Sequence, residues 1–216
     1  MRVNQSEQAV AALQRLIEQG ELKPGSMVSE RDLMEVTSLG RTPVREAIQR
    51  LALNHMLRIH PNKGIEIPPI TVEDQLSALE VRRAMEVLAI GLACRSATEK
   101  DMDAIATLKA TLAGDFDLHR YSETVRQTHA LIIQAAHNPY LGALMVPLQT
   151  LSRRFWIMHV RDEQAEIALG KRLHQDILQA LLLRDSDQAG AASIALNSYL
   201  VEFTLSVVSR MAASRS

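Results

Sequence analysis

Arg41, Arg45 and Gln49 stand four residues apart in Gly40-Arg41-Thr42-Pro43-Val44-Arg45-Glu46-Ala47-Ile48-Gln49-Arg50-Leu51. On a helix that spacing draws the three side chains along one line of the surface. Arg and Gln form paired hydrogen bonds with the guanine and adenine edges exposed in the major groove of DNA. Val44, Ala47, Ile48 and Leu51 fall at i, i+3, i+4 and i+7 of the same stretch, an apolar stripe on a different side. A helix held by one face and presenting Arg and Gln on the other has the chemistry of a DNA-recognition element. The bland alternative is a solvated basic face, and the neighbouring elements decide between the two.

Around this stretch the pattern predicts a small domain over residues 1–69. Residues 5–19 show helical periodicity in Val10, Leu13, Leu16 and Ile17, with Gly20 as a stop. Leu22-Lys23-Pro24-Gly25 reads as a turn and Met27-Val28 as a short extended piece. Ser29-Glu30-Arg31-Asp32 has the form of a capping box, opening a second helix that runs through Val36. The third helix runs to about Asn54, with Pro43 tolerated in its first turn. Residues 57–60 and 65–67 alternate around Pro61-Asn62-Lys63-Gly64, a hairpin with Lys63 at its tip and Gly64 allowing close approach of backbone to phosphate. The order is that of a winged helix-turn-helix. Pro68-Pro69 ends it, and residues 70–212 read as an all-helical bundle. Six helices are predicted there, at about 72–95, 99–113, 116–136, 138–159, 163–185 and 187–211.

Composition limits the alternatives. The 216 residues are 47% apolar and 23% charged with a formal net charge of -1. That near-neutral balance hides a local excess: residues 41–63 hold Arg41, Arg45, Arg50, Arg58 and Lys63 against Glu46 alone. Aromatic content of 3% argues against base stacking as the binding mode. A lone cysteine, Cys94, forbids an intramolecular disulfide and a cysteine-based zinc finger, and suits a reducing cytoplasm. No run of 18 uninterrupted apolar residues occurs, so no membrane span is expected. Neither a phosphate-binding glycine loop nor a nucleophile in a recognisable motif is present, and no catalytic residue is assigned.

Glu21-Leu22-Lys23-Pro24-Gly25, Ser29-Glu30-Arg31-Asp32-Leu33 and the Arg41–Leu51 stretch resemble the DNA-binding domain of GntR-family bacterial transcription regulators. The helical part resembles the FCD ligand-binding domain of the FadR subfamily. It does so on Glu80-Val81-Arg82 with Glu86, His129, Asn138-Pro139-Tyr140-Leu141 and His174-Gln175-Asp176-Ile177-Leu178-Gln179-Ala180. Six helices after a short linker look like the VanR-type branch. The resemblance implies DNA contacts from Arg31, Arg41, Arg45, Lys63 and Gly64, to which Thr42 and Gln49 are added as neighbours on the same helix. Three places depart from the family pattern. Ser38 stands where a turn glycine is usual, Gly40 where a capping serine is usual, and Asn54-His55-Met56 replaces a glycine-containing turn before the wing.

Many FCD domains bind a divalent metal through an Asp and three His. Here Val125 stands four residues before His129, where the resemblance calls for Asp, and Tyr199 takes the place of the third His. With two of four ligands missing, no metal or other cofactor is expected, a divalent ion being the alternative. Arg82, His129, His174 and Tyr199 are then the candidate effector residues. Arg82 either meets a ligand carboxylate or pairs with Glu86 one turn on, and the two histidines either line a pocket or are ordinary core side chains. Together the readings predict a cytoplasmic, metabolite-responsive regulator rather than an enzyme. It would be a homodimer on an inverted-repeat DNA operator, a repressor released by a small organic acid and not associated with a membrane. The alternatives are a constitutive DNA-binding dimer and a metal-dependent enzyme in the bundle.

Overall fold

The computed structural model describes residues 4–213, which divide into two compact units. One runs up to Thr71 and includes Arg153–Met158, and the other comprises Val72–Ser152 and the chain from His159 onward.

The first unit holds α1 (Gln5–Glu18), β1 (Met27–Val28), α2 (Glu30–Thr37), α3 (Arg41–Leu53), β2 (Arg58–His60) and β3 (Gly64–Glu66). Ala9, Leu13 and Ile17 of α1, Leu33 of α2, and Val44, Ala47, Ile48 and Leu51 of α3 form its core, closed by Met56, Leu57, Ile65 and Ile67. The capping box at the start of α2 is present: Ser29 Oγ accepts from Asp32 N at 3.2 Å, and Asp32 Oδ2 accepts from Ser29 N at 2.8 Å. The wing is shorter than the alternation predicts. Arg58 pairs with Glu66, Ile59 with Ile65 and His60 with Gly64, while Leu57 and Ile67 fall outside the strands and pack into the core. Met27-Val28 is the third strand of the sheet, in the order β1-β3-β2.

Gly64 answers first to this sheet. It lies at φ 113°, and a Cβ there would sit 3.0 Å from the Val28 carbonyl oxygen. Its small size suits the close approach of β1, a role in the sheet that stands beside the expected approach of phosphate.

The second unit contains α4 (Val72–Ser96), α5 (Glu99–Thr111), α6 (Leu118–Ala135), α7 (Leu141–His159), α8 (Glu163–Leu182) and α9 (Ser186–Ala213), six helices as predicted. Thr98 and Asp101 form a capping box on α5, and Asp117 and Asp162 cap α6 and α8. Arg184 donates to the carbonyls of Cys94 and Ala97 at 2.9 and 2.7 Å, covering acceptors at the end of α4. α4 and α9 run antiparallel, joined by the buried bond from Asn197 Nδ2 to Leu79 O at 3.0 Å. By length and composition α9 is long and apolar enough to cross a membrane, but here its inner stripe packs into the bundle.

The last part of α7 behaves differently from the rest of that helix. In the first unit Arg153 Nη2 lies 3.1 Å from Glu18 Oε1, both side chains buried, and Arg154 Nη2 donates to Pro68 O at 3.1 Å. Burial pushes the Arg154 guanidinium down to about 10, against the opposing pull of Glu18.

Two of the departures from the family pattern carry a backbone signature. Ser38, at the end of α2, has φ 55°, and His55, after α3, has φ 56°. Left-handed backbone costs an ordinary L-residue roughly 1–2 kcal/mol that glycine does not incur. Ser38→Gly and His55→Gly are each expected to stabilise the chain by about 1 kcal/mol in urea unfolding. A lower midpoint for both would contradict this account of the two turns.

Candidate nucleic-acid interface and effector cavity

The burial of α3 settles which side of it is free. Val44, Ala47, Ile48 and Leu51 are all at most 4% exposed. Arg41, Thr42, Arg45, Gln49 and Arg50 are exposed. The structure therefore brings Arg41, Thr42, Arg45 and Gln49 to one outward face. Gly40, the N-cap, supplies no side-chain hydrogen bond, so no cap side chain covers the first-turn N–H groups. The N-terminal end of such a helix favours anionic groups.

The arginines are held but not locked. Arg45 Nε lies 2.9 Å from Glu30 Oε1 on α2, with side chains 63% and 40% exposed. An exposed pair of this kind is worth less than about 1 kcal/mol, so it does not hold the guanidinium in place against a stronger partner. Arg31 pairs in the same manner with Glu35 at 2.9 Å, one turn along α2. Lys63 stands exposed at the wing tip between Asn62, at φ 61°, and Gly64. Motif reasoning passed over one feature here: Arg58 Nη1 at 3.1 Å and His60 Nε2 at 2.7 Å both meet Glu66 Oε2. The hydrogen bond from His60 is the main cause holding the Glu66 carboxyl below its ordinary range. Cross-strand pairing of positions 58 and 66 in a hairpin was the signal that could have revealed it.

In the bundle, His129, His174, Glu86, Gln149 and Ser193 share a cavity with the apolar side chains of Ile90, Ile132, Met145, Ile177 and Leu196. His129 and His174 are thus neighbours, with ring centroids 5.6 Å apart. The open space is only about 10 Å³, near the minimum for one water. Nδ1 of His174 donates to Gly170 O at 2.7 Å, which leaves Nε2 as a bare acceptor. That Nε2 is buried and has no hydrogen-bond partner among the described residues. Tyr121 stands beside the ring, its Oη 3.5 Å from Nδ1, and a Cβ on Gly170 would strike that phenol. Gly170, one turn before His174, makes this arrangement possible. Tyr121, Gln149, Ser193 and Gly170 carried no motif and were not singled out.

Two of the expected effector residues lie elsewhere. Arg82 is buried and engaged by Glu86, with Nε and Nη2 at 3.0 and 2.5 Å from Oε1, and it does not line the cavity. Tyr199 also lies outside the cavity. The inward stripe of α9 passes through Ser193, Leu196, Leu200 and Phe203, so Tyr199 falls to its edge and donates to Glu166 on α8. Position 199 therefore brings no ligand to the histidines. Val125 is buried and has no ligating atom. Two imidazoles beside a carboxylate already neutralised by Arg82 do not fit the metal site that the FCD resemblance implies. Among the described residues no group of three His, Cys, Asp or Glu is placed to hold a metal.

A three-helix unit with a β-wing and an outward Arg/Gln face, followed by a helical bundle with a small internal cavity, defines a winged helix-turn-helix DNA-binding regulator. The model for bacterial regulatory proteins of the gntR family matches residues 5–67, and the FCD domain model matches residues 77–198. The chain belongs to the GntR family of transcription regulators, with an FCD domain as in the FadR subfamily. It is 26% identical over 186 residues to the HTH-type transcriptional regulator YdhC of Bacillus subtilis, covering 82% of this chain and 80% of that protein. It is 24% identical over 175 residues to the Nta operon transcriptional regulator of Aminobacter aminovorans, covering 80% and 81%. Its fold is similar to that of Escherichia coli McbR/YncC, with a TM-score of 0.80 at 20% identity over 94% of this chain and 98% of that one.

Two expectations follow for the bundle. Glu86→Gln leaves the Arg82 charge buried without its counter-charge and is expected to destabilise the chain by about 3 kcal/mol or more. A change under about 1 kcal/mol in chemical unfolding would contradict the assigned pairing. Burial favours neutral His174 and pulls its pKa below the ordinary value, as burial and Arg210 do for His159. The unfolded chain takes up protons near pH 6.5 while the folded chain does not, so stability falls as pH drops below about 6.5. Unfolding midpoints at pH 7.5, 6.5 and 5.5 should decline, and His174→Asn should reduce the decline; an unaltered slope in that variant would contradict the assignment.

Proposed function

We propose that the chain is a metabolite-responsive repressor that binds an inverted-repeat operator as a homodimer and is released by a small organic acid. The observation that carries the DNA half of this reading is the outward line of Arg41, Thr42, Arg45 and Gln49 on a helix whose opposite face is fully buried. Arg41 and Arg45 read base edges. Arg31 and Lys63 contact phosphate, and Gly64 shapes the wing tip. One winged helix reads only a few base pairs, so a two-fold dimer supplies the remaining affinity and specificity. The reading gives the chain no enzymatic activity, consistent with relatives that are transcription regulators, and places it in the cytoplasm with the chromosome.

The effector half rests on the cavity and the histidines in its wall. His174 Nε2 accepts a hydrogen bond from a ligand hydroxyl or a protonated acid, with His129 beside it. A ligand carboxylate competes with Glu86 for Arg82. The cavity opens to admit it, and the effector acts by its differential affinity for the opened arrangement. A second reading, a bundle that dimerises and senses nothing, is favoured by one observation: closed, the cavity holds about one water.

Gel shifts on the DNA upstream of the chain's own gene test the first half. Arg45→Ala should weaken specific binding by about 1–3 kcal/mol. Lys63→Ala should weaken specific and nonspecific binding alike and lower the salt slope by about one. Unchanged operator affinity in Arg45→Ala would overturn the assigned role. A melting screen against small carboxylic acids separates the two readings of the bundle. A stabilising acid that also releases DNA supports the sensor, and no shift with any member supports the constitutive dimer.

A further inference from the structure

Glu30 sets an acid against the face proposed to meet DNA, a polyanion. It is the first residue of α2, and its Oε1 accepts from Arg45 Nε at 2.9 Å across the gap between α2 and α3. A negative charge there opposes phosphate and lowers affinity for any duplex. The contact is particular to Arg45. Arg41, one turn earlier on α3, has no hydrogen bond or ion pair among the described residues. Arg31 meets Glu35 within α2, so that pair fixes nothing on α3.

The backbone under Glu30 is anchored. The capping box of Ser29 and Asp32 holds the first turn of α2, and Leu33, fully buried, packs that helix into one core with Val44 and Ile48 of α3. The carboxylate therefore approaches Arg45 from a fixed direction. A guanidinium is a planar fork, with one N–H on Nε and four on its two terminal nitrogens. Only Nε of Arg45 is engaged, and Nη1 and Nη2 have no hydrogen bond among the described residues. Those two nitrogens are the donors that an end-on pair with guanine O6 and N7 requires.

From this we infer that Glu30 is a positioning residue that makes Arg45 selective for guanine, an inference that rests on the base-reading role proposed for Arg45. Held at Nε, the fork offers its two terminal donors together. Guanine accepts both, whereas adenine sets its N6 amino group where O6 would be. A phosphate is reached only by leaving Glu30, which strands a carboxylate beside the duplex. Wrong bases and wrong registers are thus penalised as well as unrewarded. Water expelled as α3 docks strengthens the ion pair at the moment of reading. Glu30 trades affinity for selectivity.

Selection of duplexes from a random-sequence library by the full chain, followed by sequencing, reads base preference at each position without a known operator. Circular dichroism confirms the fold of each variant. Arg45→Ala should lower the preference for guanine at one position of the motif by roughly 5- to 150-fold. Glu30→Gln should lower it at that same position by about two- to five-fold, while affinity for a duplex lacking the motif rises. In the Arg45→Ala background, Glu30→Gln should change the guanine preference no further. Glu35→Gln, which removes the same charge from α2, should raise affinity for every duplex and leave the preference intact.

A guanine preference lost in Arg45→Ala but unchanged in Glu30→Gln, or lost equally in Glu35→Gln, overturns the positioning role and leaves Arg45 as a reader. A cytosine preference that disappears with Glu30→Gln in both backgrounds makes Glu30 itself a base reader and overturns the proposal. A motif unaltered by Arg45→Ala overturns the reading of Arg45 and this inference with it.

Discussion

The packing of one apolar stripe orients the whole first unit. Val44, Ala47, Ile48 and Leu51 are buried in one core with Leu13, Ile17 and Leu33, which fixes the side that α3 turns inward. Burying a large aliphatic side chain contributes about 1.5–3 kcal/mol, several times what any exposed ion pair of Arg31 or Arg45 supplies. Stability therefore comes from one side of α3, and the other side is left to the role proposed for it in recognition. The exposed side is free to carry charges that the fold does not need. Gly40 in place of a capping side chain and Arg45 in a weak, exposed pair with Glu30 are consistent with that division.

The bundle inverts this arrangement by placing polar groups inside. Arg82 and Glu86 are buried together one turn apart, which holds two charges in place only because each satisfies the other. Glu86 also faces the cavity of His129 and His174, so the pair links the buried cation to that space. His174 keeps its tautomer through the Gly170 carbonyl and leaves one lone pair inward. The cavity is small, it presents one unspent acceptor, and Arg82 stands behind Glu86 rather than in its wall, so any enlargement of it repacks the surrounding helices.

Local chemistry was legible in the chain, and long-range pairing was not. The capping box of Ser29 and Asp32, the breaks between the six bundle helices and the two faces of α3 all follow from residues within one or two turns of each other. Met27-Val28 reads as extended, but nothing nearby says that it pairs with Ile65 and Glu66, or that Gly64 makes room for it. Arg153 and Arg154 finish on Glu18 and Pro68, partners far away in sequence. Tyr199 was misplaced by a smaller margin: one residue is a 100° turn of a helix, enough to carry a side chain from the cavity to the edge of α9. Gln149 and Ser193 could not have been picked out, because polar residues in amphipathic helices usually face water.

The central claim is that Arg41 and Arg45 read guanine edges in the major groove from a two-fold dimer. Methylation interference on the DNA upstream of the chain's own gene tests it most directly, since a methyl group on guanine N7 occupies the atom a bidentate arginine needs. The account predicts interference at guanines in two symmetric half-sites about one helical turn, or a multiple of it, apart. Binding indifferent to N7 methylation, or interference confined to minor-groove adenine positions, would contradict it.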